Sequence, residues 1–234
     1  MRALNDLMEQ IDSKFSIETA PVKIGDEILK IVQLKDYEEY ILERIEASDP
    51  NVTEAPFWAK LWEASFLLAY FLGKQPVRAD CRMLEIGAGI GIVGIYAALC
   101  GHQVTVTDIN EDALLFARAN ALLNGLPDLE IRRLDWSDPG EAKLYDVIVG
   151  SEVVYDRRSY PLLVDFLRRS LLPDGVIFLA KNADLPAPTF FTELTKCFEF
   201  KKTSQTLRMD GEAQQIELFA VRHKRLKDAQ KTRE

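Results

Sequence analysis

The stretch from Met83 to Tyr96, MLEIGAGIGIVGIY, limits what this chain can fold into more than any other segment. It predicts a short apolar strand, a glycine-rich loop and an apolar helix in direct succession. Glycines at such a junction let the backbone approach a ligand closely, and the N-terminus of the following helix attracts polar groups of that ligand. The stretch therefore predicts a site for a nucleotide-containing cofactor.

Two glycine patterns overlap in this loop, and they suggest different cofactors. Gly89, Gly91 and Gly94 form G-x-G-x-x-G, which is typical of nicotinamide dinucleotide sites. From Glu85 through Gly87, the same loop spells E-x-G-x-G-x-G, which suits S-adenosylmethionine. The two interpretations imply different enzymes, so residues elsewhere in the chain have to separate them.

The composition argues against several classes of protein. A net charge of −8 over 234 residues argues against nucleic-acid binding, which needs clustered Lys and Arg, and mildly favours a basic or lysine-bearing partner. The three cysteines lie far apart and the two histidines are isolated, so neither a metal site nor a Ser–His triad is predicted. The N-terminus carries acids where a signal peptide needs an apolar run, and no stretch is long and apolar enough to span a bilayer. We therefore predict a cytoplasmic protein.

From residue 81 onward, strand and helix signals alternate in a way that predicts an α/β fold. Five strands separated by helices, with a closing hairpin around Asp210-Gly211, predict a Rossmann-like, doubly wound, seven-stranded, mostly parallel sheet. The C-terminal hairpin is expected to form an antiparallel edge of that sheet. Ligands of such sheets lie beyond the carboxyl ends of the strands, where this chain places several polar residues.

Three segments are predicted along the chain. Residues 1–54 form an N-terminal extension of helix and β-hairpin, and the hairpin turns at Gly25-Asp26. Residues 55–223 form the main domain, and residues 224–234 form a polar tail. The main domain is expected to open with a single helix that runs from Pro56 to Gly73.

Acidic residues at the predicted strand ends bear on the choice of cofactor. Asp108 follows the glycine loop at roughly the 20-residue spacing of a ribose-binding acid, but both candidate cofactors carry adenosine. Glu85 separates them, because a carboxylate at the mouth of the loop would oppose a pyrophosphate. The same carboxylate would help to neutralise the ammonium and sulfonium groups of S-adenosylmethionine. The alternative is that Glu85 is a buried acid that caps the following helix.

Asp135 and Trp136 extend this comparison to the adenine. Asp135 closes a strand at a position where an acid can accept a hydrogen bond from the adenine amino group, and Trp136 either lies against the ring or is structural. The dehydrogenase interpretation also lacks a catalytic residue, because Tyr155 is followed four residues later by Ser159 instead of a lysine. These observations favour S-adenosylmethionine.

Several motifs together resemble a known group of enzymes. The segments LEIGAGIGIVG, VTVTDIN, LDW and YDVIVGSEVVY are similar to successive motifs of the class I, seven-strand methyltransferases. More narrowly, FWAKLWEASFLLAYFL before the loop and SEVVYD after the fourth strand resemble the protein-lysine methyltransferase-like family. The resemblance implies S-adenosyl-L-methionine as cofactor and the lysine of a protein as methyl acceptor.

The resemblance also implies two sets of site residues. Glu152 and Tyr155 form an acid-x-x-Tyr motif and are the candidate catalytic residues. Glu152 is expected to hold the acceptor amine, and Tyr155 to accept a hydrogen bond from it or to line its channel. The expected cofactor-binding residues are Trp62, Glu85, Gly87, Ala88, Gly89, Gly91, Asp108, Ile109, Asp135, Trp136 and Ser151.

Two other functions stay open at this point. A small-molecule N- or O-methyltransferase would need a closed pocket, with residues 1–50 as a lid over the strand ends. A non-catalytic cofactor-binding protein would bind the cofactor without turnover. Phe57, Trp58 and Lys60 are expected to pack at the core or rim, and we leave them out of the predicted site.

Overall fold

The computed structural model describes residues 2–46, 56–140, 143–209 and 212–224. Its helices are α1 (Arg2–Asp12), α2 (Tyr37–Glu46), α3 (Glu63–Gly73), α4 (Ile92–Leu99), α5 (Glu111–Leu123), α6 (Tyr160–Ser170) and α7 (Pro188–Leu194). Its strands are β1 (Ile17–Ile24), β2 (Glu27–Leu34), β3 (Arg82–Glu85), β4 (Gln103–Asp108), β5 (Glu130–Arg133), β6 (Tyr145–Ser151), β7 (Leu171–Asn182), β8 (Phe198–Met209) and β9 (Glu212–His223). None of the helices in these ranges is long and apolar enough to cross a membrane.

Seven strands form one sheet in the order β5-β4-β3-β6-β7-β9-β8, which confirms the predicted fold class. The first five strands run parallel, and β9 is antiparallel to both of its neighbours. The C-terminal hairpin forms the expected antiparallel edge, in which β9 lies between β7 and β8, and β8 is the edge strand. The expected turn at Asp210-Gly211 and the boundary between residues 54 and 55 lie outside the described residues.

Apolar side chains on the two faces of the sheet form two cores, because successive residues of a strand point to opposite faces. On one face, Val147 and Val149 of β6 join the core beneath α3, α4 and α5. On the other face, Ile148 joins the core beneath α6 and α7. The chain thus forms three layers, and β3 lies between β4 and β6 at the point where the strand order reverses. The crevice at the carboxyl ends of these strands is where open α/β sheets bind ligands.

The N-terminal hairpin packs on α5 and α3 and shares the first core. Asn120 of α5 and Asn124, which follows this helix, hold β2 through its backbone. Asn120 accepts a hydrogen bond from the Val32 N–H at 2.7 Å and donates to the Val32 carbonyl at 3.2 Å. Asn124 bonds in the same way to Lys30, at 2.9 and 2.8 Å. Asn120 also donates to the Ile90 carbonyl at 3.0 Å, so it connects the hairpin to the glycine loop.

We expect Asn120→Ala to lower the free energy of unfolding by at least about 3 kcal/mol, because it leaves three buried backbone groups without a partner. Asn124→Ala is the matched control and should cost about 1 kcal/mol, because water can replace its bonds to the exposed Lys30 backbone. Urea denaturation monitored by circular dichroism measures both values. Equal losses in the two variants would contradict the special role of Asn120.

The segment before α3 differs from the expected single helix between Pro56 and Gly73. A 3-10 turn spans Phe57–Ala59, and α3 begins only at Glu63. Trp62 has an extended backbone, and its indole N–H donates to the Phe57 carbonyl at 2.9 Å. This side-chain hydrogen bond holds the turn against the N-terminus of α3, and the helical signals of the segment do not reveal it.

Candidate active site

The glycine loop follows β3 and turns through left-handed conformations at three of its glycines. Gly87, Gly89 and Gly91 have φ angles of 58°, 55° and 88°, which residues with a side chain rarely adopt. A Cβ at Gly89 would lie 2.6 Å from the Trp58 carbonyl oxygen, so this position also lacks the space for a side chain. The exposed Gly87 and half-buried Ala88 present their backbone at the carboxyl end of β3.

Gly94, the last glycine of the dinucleotide-like pattern, lies inside α4. A Cβ there would collide with the Glu85 carboxylate and would lie 2.5 Å from Val106 Cγ2. Gly94 is therefore required for the close packing of α4 on β3 and β4. The G-x-G-x-x-G pattern has a packing explanation that does not involve a dinucleotide.

Glu85 ends β3, and its carboxylate points beneath α4. Its Oε2 accepts a hydrogen bond from the Gly94 N–H at 2.9 Å, and the residue is 2 % exposed. Burial raises the pKa of Glu85 from 4.5 to about 8, the Gly94 hydrogen bond opposes the rise, and Asp108 adds to it. The carboxylate has the role of a buried acid that caps α4, which was the alternative interpretation, and its contact with a cofactor stays a prediction.

This burial makes stability depend on pH. The folded state holds the Glu85 proton more tightly than the unfolded state. The contribution of protonated Glu85 to the free energy of unfolding is therefore full below about pH 4.5 and declines as the pH rises to about 8. Since glutamine does not titrate, we expect the free energy of unfolding of Glu85→Gln to rise relative to that of the wild type by up to about 1.4 kcal/mol per pH unit in this range. Urea unfolding at pH 5, 6.5 and 8 measures the difference. Glu199→Gln, at an exposed position, should show no such trend, and a constant difference for Glu85→Gln would refute the assignment.

Asp108 ends β4 beside the loop, where a ribose-binding acid is expected. One carboxylate oxygen accepts from the Gly89 N–H at 2.8 Å, and the other accepts from the Asn110 N–H at 2.9 Å. Burial raises the pKa of Asp108, and the backbone N–H groups that it accepts from oppose that rise. The neighbouring Ile109 side chain is 52 % exposed and gives this side of the crevice an apolar surface.

Asp135 and Trp136 follow β5. They lie close to Asp108, because the N–H of the preceding Leu134 donates to the Asp108 carbonyl at 2.9 Å. Asp135 accepts from the Ser137 hydroxyl at 2.6 Å and from its N–H at 2.8 Å. These bonds are the main cause of the lowered pKa of Asp135. Trp136 is half-buried and packs against the second core. Both residues thus have a structural role, and contact with adenine stays a prediction.

Ser151 and Trp62 meet the N-terminal end of α3. The Ser151 hydroxyl accepts from the Ser65 hydroxyl at 3.0 Å, which connects the end of β6 to α3. The half-buried Trp62 ring has the Lys60 Nζ at 4.7 Å from its centroid. The structure therefore brings these two expected cofactor residues to the same helix end, on the β6 side of the crevice.

Glu152 has the most unusual backbone in the described ranges. It is the one non-glycine residue there with a positive φ, 52°. Such strain costs about 1–3 kcal/mol and persists where the surroundings hold the residue in place. The Glu152 N–H donates to the Ala180 carbonyl at 2.9 Å, and its Oε1 accepts from the Asn182 N–H at 2.6 Å.

The pKa of Glu152 is set by opposing influences. Burial raises its pKa from 4.5 to about 7. The hydrogen bond from Asn182 and the charge of Lys181 oppose the rise, whereas Glu63 of α3 adds to it. The carboxylate is therefore poised to change its charge near neutral pH, which is typical of functional carboxylates.

Tyr155, three residues after Glu152, forms an exposed aromatic pair with Phe57. Their ring centroids are 5.6 Å apart, and the side chains are 58 % and 41 % exposed. Phe57 also contacts the Trp62 ring at 6.0 Å. Phe57 was not among the predicted site residues, although the aromatic Phe57-Trp58 pair before α3 is a pattern that could have indicated it. Trp58 packs against Phe116 at 5.4 Å, as expected of a core residue.

Comparisons with known proteins identify sequences that are similar to this chain. A family model described as lysine methyltransferase matches residues 51–197. EEF1A lysine methyltransferase 3 of Mus musculus is 37 % identical over 146 residues, which cover 58 % of this chain and 61 % of the mouse protein. The chain therefore spans about three fifths of the length of that relative. Protein N-lysine methyltransferase METTL21A of Danio rerio is 32 % identical over 163 residues, which cover 65 % of this chain and 73 % of the fish protein.

A solved structure shows the same fold. The ribosomal protein L11 methylase from Lactobacillus delbrueckii subsp. bulgaricus superimposes with a TM-score of 0.54 and 23 % identity, over 70 % of this chain and 81 % of that one. The family match covers more than half of the chain, and it confirms both the predicted resemblance and the choice of S-adenosylmethionine over a nicotinamide dinucleotide. The chain belongs to the lysine methyltransferase family.

Proposed function

We propose that this protein transfers a methyl group from S-adenosylmethionine to a lysine side-chain amine of another protein. The observation that carries this proposal is the arrangement at the end of β6. There Glu152, whose backbone is strained, precedes Tyr155 by three residues, and the exposed Tyr155 ring packs against the exposed Phe57 ring. A carboxylate next to aromatic faces suits a primary ammonium on a long aliphatic chain.

The residues at β3 and β4 fit the proposed cofactor. The backbone of Gly87, Ala88 and Gly89 would hold the methionine part, and Asp108 would hold the ribose hydroxyls. The exposed Ile109 would pack against adenine. When bound, S-adenosylmethionine supplies an electrophilic methyl group on a sulfonium.

Glu152 acts on the acceptor as a positioning group. Its carboxylate binds the arriving ammonium, and because an ion pair raises the pKa of the lysine, Glu152 is a weak base for it. Its own pKa of about 7 means that it is mostly charged, and able to bind the ammonium, only above neutral pH. Phe57 and Tyr155 line the approach of the lysine chain and orient the amine.

The open surroundings of this pair favour a macromolecular acceptor over a small enclosed one. Tyr155 and Phe57 both have large exposed fractions, and the main contacts of the N-terminal hairpin are with α5 and α3. This packing supports an open acceptor site over the lid across the strand ends that a small-molecule enzyme would use. The three cysteines are free thiols, which fits the cytoplasmic location that we propose.

Radiolabelled methyl transfer into a cell lysate tests the proposal. The purified protein is incubated with lysate and S-adenosylmethionine labelled in the methyl group, and the labelled proteins are hydrolysed to amino acids. We expect the label in methylated lysine, and no incorporation when the lysate lysines have first been blocked by acetylation, which converts each amine to an amide. Label in another amino acid, or only in the small-molecule fraction, would refute a protein-lysine acceptor.

A further inference from the structure

Lys181 of β7 is a buried cation to which the proposed function above assigns no role. The residue is 3 % exposed, and it lies on the same face of β7 as Ile177 and Leu179 of the second core. Burying an ammonium among apolar side chains is costly, and an apolar residue of similar length would fill the same space. The presence of a lysine therefore calls for an explanation from its polar neighbours.

Lys181 and the carboxylate of the proposed acceptor site are linked through the backbone of Asn182. The Lys181 Nζ donates to the Asn182 carbonyl at 2.6 Å. The N–H of the same Asn182 donates to Glu152 Oε1, also at 2.6 Å. The Glu152 N–H in turn donates to the Ala180 carbonyl at 2.9 Å. The lysine and the carboxylate thus hold the two polar backbone groups of one residue.

Other charged groups near this pair come from four elements. Glu217 lies opposite Lys181 on β9, and it is paired with Lys202 of β8 at 2.6 Å. Glu63 of α3 acts on Glu152, and Asp184 in the loop after β7 acts on Lys181. Because Lys202 already neutralises Glu217, the charge of Lys181 is available to Glu152. Burial lowers the pKa of Lys181, and Glu152 is the largest opposing influence.

We propose that Lys181 is a positioning residue that keeps the Glu152 carboxylate charged and aimed at the acceptor site through Asn182. The inference rests on the proposed function, since it gives the carboxylate of the proposed acceptor site a fixed counter-charge. Without that charge, the half-buried carboxylate is neutral over a wider range of pH and binds no ammonium. Once an acceptor lysine has arrived, the charge of Lys181 also repels its ammonium form and so favours the loss of the proton that must precede methyl transfer.

A direct titration of Glu152 tests this proposal without any acceptor. The protein is labelled with glutamate carrying carbon-13 at the side-chain carboxyl, and its NMR spectrum is followed from pH 5 to pH 9. The Glu152 signal is assigned by its loss in Glu152→Gln. We expect Lys181→Met to raise the titration midpoint of Glu152 by about one pH unit. Lys181→Arg keeps the charge and should leave the midpoint near that of the wild type.

Lys201→Met is the matched control, because it removes an exposed lysine of β8 that points to the opposite face of the sheet from Lys202 and Glu217. Its Glu152 midpoint should stay near that of the wild type. An unchanged midpoint in Lys181→Met, or an equal shift in Lys201→Met, would overturn the proposal. If Lys181→Met does not fold, Lys181→Gln, which is neutral and polar, takes its place with the same expectation.

The titration tests the role of Lys181, and the lysate experiment tests the acceptor, so either proposal can be refuted without the other. A shifted midpoint together with label outside lysine would retain the coupling of Lys181 to Glu152 and remove lysine as the acceptor. Label in lysine together with an unshifted midpoint would retain the proposed function and remove Lys181 from the site.

Discussion

Asp108→Ala lowers the affinity for S-adenosylmethionine and for its demethylated product by about a hundredfold. The substitution removes the two ribose bonds expected of the carboxylate, and each bond to a charged group contributes about 1.5–3 kcal/mol. It also removes the acceptor that holds the Gly89 N–H at 2.8 Å, so the loop loses part of its support. Isothermal titration calorimetry with both ligands measures the change.

A matched variant separates the site from a general effect of charge. Asp128→Ala removes an exposed acid after α5 and should leave both dissociation constants unchanged. Asp108→Asn preserves the shape of the side chain and should lose less affinity than Asp108→Ala. Wild-type affinity in Asp108→Ala would remove this residue from the ribose site and return it to a purely structural role at the end of β4.

Glu152→Gln lowers the rate of methyl transfer by about a hundredfold above pH 7, because a misplaced acceptor amine loses the alignment that displacement at a methyl requires. The wild-type rate should rise with pH through about 7 as Glu152 becomes charged, and this step should be absent in the variant. Initial rates of radiolabel transfer between pH 6 and pH 9 measure both effects. Cofactor affinity should stay near the wild-type value.

Two further variants complete this test. Tyr155→Phe keeps the ring that contacts Phe57 and removes only the hydroxyl, so any loss of rate measures the hydrogen bond from the amine. Glu199→Gln, at an exposed position of β8, should transfer methyl at the wild-type rate. Glu152→Gln should also melt no lower than the wild type at pH 8, since it removes a half-buried charge. A normal rate in Glu152→Gln would assign this residue to the fold alone.

The local pattern of residues was sufficient to predict the loop and the fold. The apolar run before Gly87 and the spacing to Asp108 predicted a strand end, a glycine loop and a second strand end side by side, and the sheet order agrees. Parallel strands bring their carboxyl ends to one edge, so residues after β3, β4, β5 and β6 had to converge there. Helix starts were less predictable. The helix expected from Pro56 begins at Glu63, because a side-chain bond between Trp62 and Phe57 holds an extended stretch before it.

Side-chain direction was the main feature that the sequence left open. Glu85 stands two residues before Gly87 whether it faces a cofactor or caps α4, and only the packing of α4 on β3 turns its carboxylate toward the Gly94 N–H. Phe57 reaches Tyr155 because the turn before α3 lies against the end of β6, across nearly one hundred residues of chain. Such contacts depend on tertiary packing, and no short-range periodicity encodes them.

The sequence by itself thus determined the class of the fold, the cofactor and the strand ends that carry the site, because periodicity, glycine spacing and strand-end acids are local properties. The tertiary structure alone decided which of these residues bear strain or unusual charge. The left-handed backbone of Glu152, the burial of Lys181 and the link from Asn120 to the glycine loop all arise where separate elements meet. Desolvation and hydrogen bonding at such meeting points depend on every surrounding element, and this is why only the assembled sheet and its helices specify them.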